Sequence, residues 1–282
     1  MKQITIKALF FIVLGILLSL DSTSLAQNLN QTDKGGFYFY WGYNRSTYTK
    51  SDLHVQGNGY DFTIKDMTAS DNPKKLSKDY LAIKKITIPQ FNLRLGYFFK
   101  DNWAITLGYD HLKYLMDHPQ DVTLNGHVDP GVSDLWSGNY NNQLVPTDYD
   151  EIHYENSDGL NYIRFELGRY FNLLSVGKNN WFRIRAQTAI SAGMILSYND
   201  FNFGGQFDRR TISLSGYGLS VHPGIRFEFF NHLFIQTNAS AGFIHQVKVH
   251  TRPSQKGSYA KQYFGYLEAD IVLGYTWRFN RP

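Results

Sequence analysis

The sequence contains no cysteine. A chain without thiols has no disulfide to staple it, no thiolate nucleophile and no cysteine metal site. Beyond the N-terminus there is no run of 18 apolar residues, so no transmembrane helix is expected in the body of the chain. No stretch combines a helical hydrophobic period with capping residues. Basic clusters are missing too: 28 Lys and Arg are dispersed among 24 Asp and Glu, the net charge is +4, and no nucleic-acid partner is expected. The histidines show no HxxH or HExxH spacing, and the GNG and GG elements lack the strand–helix context that phosphate binding needs.

At the N-terminus, Lys2 and Lys7 precede a thirteen-residue apolar run, Ala8–Leu20, followed by STSLAQ with the small residues Ser24 and Ala26. A run this short, with small residues at −3 and −1, has the three-part form of a secretory signal cut before Gln27. Residues 1–26 are therefore expected to be a Sec-type signal peptide and 27–282 a single exported domain. With no cysteine after the cut, a lipoprotein anchor is excluded.

Aromatic residues make up 16% of the chain, with 20 Tyr and 21 Phe, while the mean hydropathy is only −0.36. Long segments alternate with period two, which predicts strands. In 86–99, Phe91, Leu93, Leu95, Tyr97 and Phe99 oppose Asn92, Arg94 and Gly96. In 181–196, Phe182, Ile184, Ala186, Ile190 and Met194 oppose Arg183, Arg185, Gln187 and Ser191. In 263–279, Leu267, Ala269, Ile271, Leu273, Tyr275, Trp277 and Phe279 oppose Glu268, Asp270, Thr276 and Arg278. Segments 36–50, 103–114, 161–171, 217–230 and 233–247 alternate likewise.

Short connections at 100–102, 174–179 and 231–232 alternate with long ones at 51–85, 117–158, 198–212 and 249–260. This sorting, with Trp41, Trp103, Trp181, Tyr217 and Trp277 as girdle residues, predicts an all-β, antiparallel, up-and-down transmembrane β-barrel. A soluble lipocalin-like cup would reverse the faces. Eight spanning strands are expected, with 60–67 in an extracellular hairpin or an outward extension of the wall. The alternative is ten, with a strand at 121–128.

In hydrocarbon the outer face must be apolar, so the charges turn inward. The expected interior network is Arg94, Arg164, Arg183, Arg185, Arg226 and Arg278 with Asp110, Glu166, Glu228, Glu268 and Asp270, plus His222. An eight-stranded barrel has room only for side chains, so a filled interior is expected.

The segments YFYWGYNRSTYTKSDLHVQGNGYDFTI, IPQFNLRLGYFF and GYDHLKYLMD and the aromatic C-terminal strand resemble a family of Bacteroidota outer-membrane β-barrel proteins. The resemblance implies the bacterial outer membrane as location, and the strand ending at Phe279 resembles the signal read by the barrel-insertion machinery. A fainter resemblance, carried by HYENSDGLNYIRFE, is to outer-membrane lipid A deacylases. It implies His153, Ser157 and Glu166 as catalytic candidates, although Glu155 stands where that motif has its serine.

The 117–158 segment is rich in carboxylates and has no Lys or Arg. No resident cofactor is expected; loose Ca²⁺ or Mg²⁺ binding at Asp129, Asp134, Asp148 and Asp150 is the one candidate. The expected role is structural or surface-interacting, through the long extracellular loops beside outer-membrane lipid and lipopolysaccharide. The alternatives are a deacylase-like hydrolase and a small-solute channel.

Overall fold

A computed structural model describes residues 32–73, 89–177 and 180–279; the segment 1–26, expected as a signal peptide, and residues 86–88 of the second predicted strand lie outside them. The described residues hold sixteen strands. The first four are β1 (Phe37–Tyr48), β2 (Ser51–Gly57), β3 (Tyr60–Met67) and β4 (Ala69–Ser70). There follow β5 (Phe91–Lys100), β6 (Trp103–Leu112), β7 (Leu115–Met116), β8 (Gln120–Val128), β9 (Gly138–Thr147) and β10 (Ile152–Glu155). The last are β11 (Leu160–Val176), β12 (Phe182–Phe203), β13 (Gln206–Val221), β14 (Gly224–Phe229), β15 (Leu233–His250) and β16 (Tyr259–Trp277).

Antiparallel pairing closes a ring. β1 pairs with β5, β5 with β6, β6 with β11 and β11 with β12. β12 then pairs with both β13 and β14, each of which pairs with β15. β15 pairs with β16, and β16 returns to β1. β13 and β14 are one wall strand interrupted at His222 and Pro223, where the proline has no N–H to give the ladder. Eight strands therefore make the wall. The strand at β8 covers the segment 121–128 but pairs only with β3 and β9, so it does not add to the eight.

The outer surface of the ring is apolar. On β16, Leu267, Ile271 and Leu273 are each about 60% exposed, while Glu268 and Asp270 between them are buried. Phe165 on β11 and Leu95 on β5 repeat this. Exposed Phe37, Trp181 and Trp277 lie at the end carrying the short turns, and Tyr217, His245 and Tyr263 form a register row at the other. These rows bound the belt as aromatic girdles do. Trp41 departs from the expected girdle position: it faces Leu93 and Leu273 inside the belt.

Among the described residues, much of the long connections is strand. β2 and β3 form the expected hairpin, which extends the wall by pairing β2 with β16, and β8 and β9 continue that sheet. On the opposite side β10 pairs with the outer end of β12, and short β7 and β4 follow. The segment 198–212, expected as a loop, is a hairpin in which β12 and β13 run on past the belt to a two-residue turn, Gly204-Gly205. Both glycines have positive φ, 62° and 70°, the mirror-image turn that matches strand twist.

A Cβ at Gly205 would meet open space, whereas one at Gly204 would collide with the Val132 carbonyl oxygen. Gly205→Ala is therefore expected to destabilise by about 1–2 kcal/mol through its left-handed backbone alone, and Gly204→Ala by more. Urea titration of the two variants in detergent tests the order.

Candidate functional site

The barrel wall changes character along single strands. Toward the short turns, β12 points Arg183, Arg185, Gln187 and Ser191 inward; further out the same face carries Ile195, Phe201 and Phe203, all buried. β16 does the same, passing from Asp270 and Glu268 to Tyr266 and Phe264. Its outward face passes from Leu267 to exposed Lys261. A headpiece with an apolar core thus stands on a barrel with a polar one. Leu53, Val55, Phe62, Ile64, Leu124 and Trp136 build that core from one side, Ile152, Tyr154 and Phe203 from the other. Phe62 and Phe203 meet with ring centroids 4.9 Å apart.

Within the barrel the charges fall into separate groups. At the short-turn end, Glu228 lies 2.5 Å from both Arg183 and Arg278, and Asp33 lies 2.5 Å from Arg185 and 3.2 Å from Arg278. Asp33 precedes the first strand and has no alternation to mark it. Asp101, in the β5–β6 turn, places it by accepting hydrogen bonds from Thr32 Oγ1 and from the backbone N–H groups of Asp33 and Lys34. With Asp33, six carboxylates face the six arginines named from the sequence.

Midway, Arg94 contacts Asp110 and Glu166 at 2.6 Å each, and Arg164 contacts them at 3.0 and 2.9 Å. The other members of the expected network are held by hydrogen bonds and ring contacts. Arg226 donates to Gln236 Oε1 and Tyr170 Oη, and its guanidinium lies 3.8 Å from the Phe234 ring centroid, with Tyr38 and Tyr170 beside it. Glu268 and Asp270 accept from the amides of Asn92 and Asn238, not directly from arginine. A planar cation stacks on aromatic faces as readily as it pairs with carboxylate, which alternation cannot foresee. His222 is bonded to Ser191, Ser220 and Ser240 and lies beside Arg164.

The catalytic candidates do not assemble. Glu166 is engaged by two arginines inside the barrel. His153 sits in the headpiece on β10, with Nε2 2.8 Å from Glu155 and Nδ1 3.1 Å from His118 Nε2. Both ring nitrogens are thus occupied, neither by Ser157 nor by Glu166, and the relay that a serine nucleophile needs is not formed. The three are near in sequence, but β11 carries Glu166 down into the barrel.

The acidic candidates are also divided. Asp129 and Asp134 lie in the β8–β9 connection, and Asp148 and Asp150 follow β9. A ten-residue strand separates the pairs by about 30 Å. Among the described residues no group of three or more His, Asp or Glu converges on a metal position.

Sequence reading also missed Arg252, which is 3% exposed in the β15–β16 connection. It donates to Asp208 Oδ2, to the Gln206 and Phe203 carbonyls and to Tyr60 Oη. It ties the β12–β13 hairpin to the β2–β3 hairpin.

No family model and no curated protein matches the chain. Among solved structures it is similar to the outer membrane protein OprG from Pseudomonas aeruginosa, at 12% identity and a TM-score of 0.40, covering 89% of this chain and 100% of that one. Ail, the attachment invasion locus protein of Yersinia pestis, is similar at 12% identity and TM-score 0.33, covering 86% and 99%. Neisserial surface protein A is similar at 10% and 0.34, covering 85% and 99%. By its closed ring, its apolar belt and its inward charges, the chain is an all-β, up-and-down transmembrane barrel of eight wall strands.

Proposed function

We propose that this protein is an integral outer-membrane barrel that holds a rigid β headpiece at the cell surface for structural or interaction purposes. The observation that carries this reading is the reversal of sidedness along continuous strands. An apolar-out, polar-in wall suits hydrocarbon around a closed barrel. An apolar-in, polar-out wall on the same strands suits water, so the headpiece projects from the membrane. Surface loops on a rigid scaffold are common seats of recognition, and here the scaffold itself runs out into them. Outer-leaflet lipid and lipopolysaccharide are the proposed neighbours of the belt, and the barrel-insertion machinery its partner in assembly.

The filled lumen argues for this reading over the channel. Arg94, Arg164, Arg183, Arg185 and Arg226 are each at most 2% exposed and reach to partners on other strands.

Two measurements test the proposal. An epitope inserted at Gly205 is expected to be detected on intact cells; detection only after permeabilisation would remove the headpiece from the surface. In planar bilayers the purified chain is expected to give no conductance steps, and reproducible single-channel steps would restore the channel.

A further inference from the structure

We propose that His118 and His153 supply the two protein ligands of a transition-metal site in the headpiece, with Glu155 orienting the second of them.

The geometry begins with Glu155. Its Oε2 lies 2.8 Å from His153 Nε2. An ionised carboxylate only accepts, so Nε2 carries the proton and the lone pair of His153 sits on Nδ1. That lone pair points at His118 Nε2, 3.1 Å away. A carboxylate behind one imidazole nitrogen, which leaves the lone pair on the other, is the arrangement that fixes the tautomer of metal-bound histidine. Two nitrogens on a tetrahedral ion at about 2.0–2.1 Å are separated by about 3.3–3.4 Å. The pair is therefore spaced within a few tenths of an ångström of a ligand edge.

Without an ion, a single proton holds the gap: His118 donates Nε2–H to His153 Nδ1. This leaves His118 Nδ1 as an acceptor, and that atom is buried without a partner. Moving the proton from Nε2 to Nδ1 of the same ring frees the Nε2 lone pair for an ion. No proton need leave the imidazole.

His153 is held by the ladder between β10 and β12, opposite Asn202, with Ile152 and Tyr154 buried on either side. Tyr149 lies over the His153 ring at 4.2 Å and is 43% exposed, so it covers the pair as a side chain able to swing into water. With no third residue converging, water fills the remaining positions. Imidazole nitrogen selects Zn²⁺, Cu²⁺ or Ni²⁺ over Ca²⁺ and Mg²⁺. This sets the site apart from loose cation binding by the exposed aspartates.

The test is isothermal titration of the detergent-solubilised full chain with Zn²⁺, together with the electron paramagnetic resonance spectrum of the Cu²⁺ form. One Zn²⁺ per chain, no matching response to Ca²⁺ and two equatorial nitrogens on Cu²⁺ are expected. His118 is only half-buried, so His118→Ala should fold; heat-modifiable electrophoretic mobility checks this, and stoichiometric uptake should vanish. Glu155→Gln should weaken uptake about 10–100-fold. Absence of Zn²⁺ uptake by the native chain, full uptake by folded His118→Ala, or fewer than two copper-bound nitrogens would each overturn the proposal.

Discussion

Glu228→Ala is expected to destabilise the barrel by about 3–5 kcal/mol, the range for removing one partner of a buried ion pair. Glu228 is fully buried, 2.5 Å from Arg183 and Arg278 and 3.7 Å from Arg185. Without it, three guanidiniums face Asp33 alone in a lumen too narrow for bulk water. The exposed pair of Arg210 and Asp158, 2.6 Å apart in the headpiece, is the control. Asp158→Ala should leave stability close to that of the native chain, because solvent screens that pair. Urea titration of both variants in lipid vesicles, followed by tryptophan fluorescence, measures the contrast. A loss at Glu228 as small as at Asp158 would mean that water reaches the arginines, and the filled lumen would be wrong.

Ile271→Arg should cost about 2–4 kcal/mol, the range for arginine near the bilayer midplane on a barrel's lipid face. Ile271 is 60% exposed on β16, midway between Tyr263 and Trp277. Leu144, on β9 of the headpiece, is as exposed at 67%, yet Leu144→Arg should fall within about 0.5 kcal/mol of the native chain. Two equally exposed aliphatic residues are thus predicted to differ several-fold, because one is exposed to acyl chains and the other to water. Equal tolerance at both positions in lipid-vesicle unfolding would contradict the membrane assignment of the belt.

Some parts of the chain that read as loop carried a strand signal after all. In 198–212, Phe201 and Phe203 alternate up to Gly204-Gly205, and paired glycines after alternating aromatics mark a tight hairpin. The headpiece core was harder to see. Leu53, Val55, Phe62 and Ile64 alternate like belt residues, and nothing in a period of two says which solvent a face meets. Asp33 lies in QTDKGG, which has no period at all. Arg226 reads like its neighbours on other strands, although its partners are rings rather than carboxylates.

The sequence by itself determined the wall: which segments are strands, which of their faces is apolar, and which arginines and carboxylates share the other. Those properties are local, since successive side chains on a strand point to opposite sides whatever surrounds it. Only the tertiary structure decided who meets whom. Closing the ring brought Arg94 to Glu166 from strands far apart in the chain, carried Glu166 away from His153, and set His118 against His153 across 35 residues. It also decided where the inward face turns from polar to apolar. The change of residue type is written along β12 and β16, but only the closed ring shows that both changes fall on one inner side.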